Sequence, residues 1–322
     1  MKNKLFFAII IIGCTNAVNS VAQQLSYNNQ YQVNKYSLSP AYTGYNYNLE
    51  TFMTFRQAWS GLAGAPQIKM INANGRLMSN MGLGCSVISE QAGIFNGLSA
   101  NLSYAYHLKI NEMQSASFGL SAGIYDNYID PSISKSEAGS DPVALLNQGI
   151  GSTEIEATFG ALYRFQNLNA GIVVPRLLEP ATTNDSDYTV YTLKRHYYFH
   201  LSYAYPINKM FSVEPFLVTR YAQNVPLFYE LTVVGRYKGQ YWLGLSYRKG
   251  SSIGVSLGIL PHDRIAFNYS FEFSSSGIAG ISSGTHELTL GFLIGENKNK
   301  MPSVFGTGVI SSKKPYYNFM EQ

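Results

Sequence analysis

Three short patterns in the 322-residue chain carry the residue types of reacting groups. Gly119-Leu120-Ser121-Ala122-Gly123 has the spacing of a nucleophile elbow, which would offer an activated serine to an acyl group. That chemistry needs a sharp strand-to-helix bend. Ser121 instead falls mid-strand, between Phe118, Leu120, Ala122 and Ile124 on one alternating face, so it reads as a small residue of the other face. His196 and His200 stand four apart, which on a helix would let two imidazoles share a metal. On a strand that spacing separates them by ~13 Å. His286-Glu287 are adjacent, and adjacent strand residues face opposite ways. No serine, histidine and carboxylate set can be assembled. The two cysteines, Cys14 and Cys85, make no disulfide framework, and no Cys/His cluster has zinc-ligand spacing. The reading is therefore not an enzyme, with no catalytic residue, no cofactor and no metal.

The elements that must position these residues are strands. Of the chain, 46% is hydrophobic and 14% aromatic but only 13% charged, with 25 Tyr, 18 Phe and 29 Gly. An ordinary soluble domain carries roughly 25% charged residues. Mean hydropathy is −0.06, and no apolar run reaches the ~18 residues of a spanning helix. The formal charge of +4 is spread along the chain without a basic block, which argues against nucleic acid. After residue 48 the pattern has a period of two. Ile265, Phe267, Tyr269, Phe271 and Phe273 alternate with Ala266, Asn268, Ser270 and Glu272, and Tyr197, Phe199, Leu201, Tyr203 and Tyr205 with Tyr198, His200, Ser202 and Ala204.

About fourteen such segments, each of ~9–13 residues, fit between 49 and 294, long enough to cross a bilayer at the usual strand tilt. Short turns near 78–80, 110–112, 166, 208–209, 238–239 and 262 alternate with expected longer loops at 59–65, 90–96, 128–153, 175–194 and 274–283. The fold class is thus all-β: a transmembrane antiparallel β-barrel of about 14 strands, its even count placing both termini in the periplasm. A closed barrel satisfies its backbone without edges, so the aromatic and aliphatic face meets outer-membrane lipids. The face bearing Glu156, Arg164, Glu214, Glu230, Arg236 and Glu272 turns inward.

Lys2 and Lys4, the apolar run 5–12, and Ser20 and Ala22 at a cleavage site read as a signal peptide over 1–22. Ile11-Ile12-Gly13-Cys14 also resembles a lipobox, the rival reading of the same stretch. The expected order is signal 1–22, a periplasmic or plug segment 23–48, the barrel 49–294, and a periplasmic tail 295–322.

Several segments resemble the PorP/SprF family of Bacteroidota outer-membrane proteins linked to type IX secretion and gliding. They are Gln30-Tyr31 through Ser39-Pro40-Ala41-Tyr42-Thr43-Gly44, then Arg56-Gln57-Ala58-Trp59-Ser60-Gly61 with Gly64-Ala65-Pro66, and Met81-Gly82-Leu83-Gly84. Further along come Phe118 to Gly123, Glu214-Pro215, Trp242 to Arg248, and Gly284-Thr285-His286-Glu287-Leu288. The resemblance implies a non-enzymatic barrel in the outer membrane. It would couple a secreted surface protein, adhesin-type, to periplasmic secretion, gliding or peptidoglycan-binding proteins. Trp59 on the first outer loop is the candidate for client contact, and Tyr316, Tyr317 and Phe319 of the tail for a periplasmic partner by strand addition. The alternative is a transport channel for a small or hydrophobic solute, plugged or not by 23–48.

Overall fold

The computed structural model describes residues 29–130, 150–179, 181–183, 189–192, 194–223, 225–261, 264–275, 277 and 280–295. The expected signal with Cys14, and the tail residues Tyr316, Tyr317 and Phe319, lie outside the described residues.

Period-two sequence becomes wall. The strands are β1 (Leu49–Gln57), β2 (Gln67–Met78), β3 (Met81–Ala92), β4 (Phe95–Lys109), β5 (Gln114–Ile129), β6 (Ile150–Phe165) and β7 (Leu168–Val174). After a small separate hairpin of β8 (Ala181–Thr183) and β9 (Thr189–Thr192), the wall resumes with β10 (His196–Tyr203), continued by β11 (Tyr205–Pro206). It finishes with β12 (Phe211–Ala222), β13 (Val225–Tyr237), β14 (Tyr241–Arg248), β15 (Ser252–Ile259), β16 (Ile265–Ser274) and β17 (Thr285–Ile294). Every neighbouring pair is antiparallel. The ring closes twice over, as β1 pairs β17 from Leu49↔Ile294 to Gln57↔His286 and β10 pairs β12 from His196↔Ala222 to Ser202↔Phe216. Counting β10 and β11 as one stave, fourteen strands form a closed barrel.

Alternation assigns the faces. Phe118, Leu120 and Ile124 of β5 are exposed outward, whereas Ser117, Ser121 and Tyr125 are buried inward. Two aromatic belts bound the outer surface. Tyr203, Tyr205, Phe211, Tyr237 and Tyr241 gather near one end, with Phe211 and Tyr237 centroids 4.9 Å apart. Tyr229 and Tyr247, and Phe271 and Phe273 at 4.6 Å, stand near the other. Amphipathic rings prefer the membrane–water boundary, so the belts mark the edges of the apolar band.

The connections also sort by end. Leu49, Ile294 and the turns at 79–80, 110–113, 166–167, 207–210, 238–240 and 260–264 share one mouth; the loops 58–66 and 275–284 and the connections across 130–149 and 175–195 share the other. One expected loop is absent. Residues 90–96 form a two-residue turn, because β3 and β4 pair out to Ala92↔Phe95 and Gly93 takes φ 57° to reverse the chain. This turn is tied to the first loop by the Gly93 N–H donating to the Gly64 carbonyl at 2.9 Å.

Candidate functional site

The lumen is occupied. Residues 29–48, ahead of β1, run inside the wall as three single turns of 3-10 helix, at Gln30–Gln32, Lys35–Ser37 and Pro40–Tyr42. Ser39 caps the third turn by accepting from the Ala41 N–H at 3.2 Å, and Pro40 at its first position needs no partner for its nitrogen. Nearly every side chain from Asn29 to Tyr47 is buried.

Two clusters of charge hold this segment. In the first, Arg56 reaches Glu272 at 2.7 Å and Glu287 at 3.0 Å, while Arg248 reaches Glu230 at 2.8 Å and Glu272 at 2.7 Å. Two guanidinium groups face three carboxylates, so the wall has surplus negative charge, and the lumen segment supplies donors to it. The Asn29 backbone N–H donates to both Glu287 oxygens at 3.0 Å, its side-chain amide donates to Glu272 at 2.7 Å, and the Tyr31 hydroxyl donates to Glu230. The Asn29 side-chain oxygen Oδ1 in turn accepts from Arg248 at 3.1 Å. Buried charges persist only when paired and hydrogen-bonded, and here the pairing is complete only with Asn29 and Tyr31 in place.

The second cluster centres on Glu214, which accepts from Lys35 at 3.1 Å and from Arg236 at 3.4 Å. Lys35 also lies 4.5 Å from the Phe216 ring centroid. Between the clusters the contacts are neutral. Thr54 donates to the Gln30 side chain at 2.8 Å, Ser256 to Gln32 at 2.6 Å, and Asn34 to Asn72 at 3.1 Å. Val33 joins Phe52, Val234 and Trp242 in an apolar cluster, and the Trp242 indole N–H donates to Asn268 at 2.8 Å.

Lower in the lumen the backbone itself touches the wall. A Cβ on Gly82 would stand 2.1 Å from the Thr43 carbonyl oxygen, and one on Gly119 2.3 Å from the Pro40 carbonyl carbon. Gly44, at φ 65°, donates its N–H to Asn74 at 2.8 Å. The quoted sequence motifs therefore meet in one place. Ser39 to Gly44 is the lower half of the lumen segment; Gly82 and Gly119 are the segment's seats; Glu214, Arg248 and Glu287 are its charged partners, and Arg56 pairs with Glu287 behind them.

The chemistry-bearing patterns fall elsewhere or into this packing. Ser121 is hydrogen-bonded to Ser103, which also bonds the Tyr36 hydroxyl at 2.7 Å. His200 is buried against the Tyr42 ring at 5.7 Å, whereas His196 bonds the Lys194 carbonyl at 2.8 Å. His286 faces outward to the Tyr269 hydroxyl at 2.7 Å, and Glu287 faces inward. Among the described residues no three His, Cys, Asp or Glu side chains could hold a metal ion. Trp59 is half-buried at the loop-bearing mouth with φ 46°, its N–H donating to Thr285 at 3.1 Å. Sequence reasoning passed over Asn29, Arg56 and Arg248 as partners of Glu230, Glu272 and Glu287, and Lys35 as the partner of Glu214. The available signal was charge at inward parity in a chain that carries little of it.

A family model, type IX secretion system membrane protein PorP/SprF, matches residues 20–292. The chain belongs to the PorP/SprF family. It is an outer-membrane β-barrel and a membrane component of type IX secretion, interacting with that machinery. No curated protein matches it in sequence. Among solved structures it is similar to the CymD monoaromatic hydrocarbon channel at 13% identity, covering 86% of this chain and 96% of that one, with TM-score 0.51. It is also similar to a Pseudomonas aeruginosa FadL homologue at 10% identity (83% and 94%, TM-score 0.47), and to Acinetobacter baumannii Omp33 at 9% (78% and 100%, TM-score 0.46). At these identities the likeness is one of fold. The PorP/SprF motifs, by contrast, coincide with the residues that seat the lumen segment.

Proposed function

We propose that this PorP/SprF barrel is a sealed, non-catalytic anchor. It holds an exported surface protein of the adhesin type at its loop-bearing mouth, which faces the exterior, and couples that client to periplasmic secretion, gliding or peptidoglycan-binding proteins at the turn-bearing mouth. The observation that carries this is the lumen segment, bound along its course by ion pairs, polar contacts and glycine seats. A wall that completes its buried charge with its own chain is built to stay filled, whereas a solute channel needs a lumen free to exchange its contents. Long loops on outer-membrane barrels lie outside, which orients the mouths. Trp59 then belongs to the client-facing rim, and Tyr316, Tyr317 and Phe319 to a periplasmic docking tail.

The test has two arms. The purified full-length protein in planar bilayers is expected to give no steady conductance, and gentle-detergent isolation is expected to bring down a surface protein together with periplasmic components. Removing 301–322 should weaken only the periplasmic capture, with the folded barrel intact by heat-modifiable mobility. A steady open pore with no co-purifying protein would overturn the reading in favour of transport.

A further inference from the structure

The outer wall steps down at β7, toward the loop-bearing mouth. β6 runs on from Phe159 to Ile150 beyond the point where β7 ends at Val174. Beside this step the outward side chains of three strands leave a groove of ≈ 250 Å³. Its outer lining is Ile172 and Val174 of β7, Tyr197 and Phe199 of β10, and Thr219 and Tyr221 of β12. The register explains the hollow. Phe199 lies opposite Thr219, and Thr219 opposite Tyr229, so a short side chain sits between two rings in one row. In the next row Tyr197 faces Tyr221 with ring centroids 6.2 Å apart. Tyr229 belongs to the aromatic belt of this end, so the groove lies at the boundary between hydrocarbon and headgroups. The chain just above it is basic. Lys194 and Arg195 precede Tyr197, and Lys194 is exposed. Arg195 is held in place, its Nη2 donating to the Leu177 carbonyl at 2.6 Å and its backbone N–H to Glu179 at 3.0 Å. Leu177 in turn donates its N–H to the Ala157 carbonyl of β6 at 2.9 Å, which puts the guanidinium at the step, beside the end of β7. The Arg195 Nε is buried and has no hydrogen-bond partner among the described residues.

We propose that this groove binds a phosphorylated glycolipid of the outer leaflet, with one acyl chain in the apolar slot and a phosphate accepting from Arg195 and Lys194. The wall here faces lipid, so hydrocarbon fills the slot in any case; the two cations add a preference for an anionic headgroup. Arginine meets phosphate oxygens with a planar fork of donors, and lysine meets them as a point charge. A lipid gripped at this level fixes the depth of the barrel beside the rim that holds the client. That the loop-bearing mouth meets the outer leaflet rests on the reading above; the groove and its cations do not.

The test is native mass spectrometry of the full-length protein, stripped of carried lipid in mild detergent. Two probes share the same acyl chains: bisphosphorylated lipid A, and that lipid after phosphatase treatment. The natural protein is expected to bind the phosphorylated form about tenfold more tightly, the effect of two cations on an anionic headgroup. Arg195→Gln combined with Lys194→Gln should erase that ratio, and Arg195→Lys should keep most of it. Thr219→Phe, which fills the slot, should weaken binding of both forms, whereas Lys209→Gln at the turn-bearing mouth should change neither. Folding of each variant is checked by heat-modifiable mobility. Equal binding of the two probes overturns the proposal, as does a ratio that survives loss of both cations or binding untouched by Thr219→Phe. Tighter binding of phosphatidylglycerol than of lipid A overturns it as well. Loss of the lipid preference in a protein that still stays silent in bilayers and captures its client removes this site and leaves the anchor reading intact; a conducting barrel that still selects lipid A does the reverse.

Discussion

Arg248 shows what a single side chain does in this lumen. It bonds two carboxylates from different strands and the Asn29 side chain at once. Truncation to alanine leaves Glu230 and Glu272 short of a buried cation, a loss of about 3–5 kcal/mol for a broken buried pair. Arg248→Ala is therefore expected to lower the temperature of the heat-modifiable transition and to admit intermittent bilayer conductance, with Arg248→Lys intermediate in both. Parity in the sequence placed Glu214, Glu230 and Glu272 on the inner face. It could not pair Arg56 with Glu272, since their 2.7 Å contact bridges 216 positions and depends on how the ring closes.

At the scale of elements, the glycine seats argue that wall and lumen segment are one design. Gly82→Val would drive a branched side chain into the Thr43 carbonyl, and Gly119→Val into Pro40. Either should leave a folded barrel that conducts, whereas Gly235→Ala, whose added Cβ meets only a carbonyl oxygen 3.9 Å away, should stay silent. The strands themselves were legible because each face faces one solvent for its whole length. Ile265 to Phe273 is aromatic or aliphatic outward, and inward it is polar apart from the small Ala266. The turn at Gly93 was not legible, since Gln91 and Ala92 look like loop composition and gain their pairing from Asn96 and Phe95 across the turn and, for Gln91, from Gln67 on the other side. The hairpin of β8 and β9 was missed for a similar reason: three and four residues are too few to establish a period.

For the whole molecule, outward alternation sets the tolerance of the wall. Leu243 lies between the belts at Tyr241 and Tyr247, and Leu243→Arg should cost ~2–4 kcal/mol, read as a lower yield of folded barrel in the membrane fraction. Fold class and strand number could be read from the sequence, because the bilayer imposes the same length and alternation on every stave. The content of the lumen could not, since residues 29–48 have neither period and take their shape from the wall. One arrangement bears on how the ring is closed. The seam between first and last strands carries Arg56 opposite Glu287 and Thr54 bonded to Thr289 at 3.0 Å, and Asn29 ties onto the Glu287 side of that joint. The joint where the two edges meet is thus held both by its own backbone ladder and by a residue of the filling, so whatever loosens the filling also removes a bond from the seam.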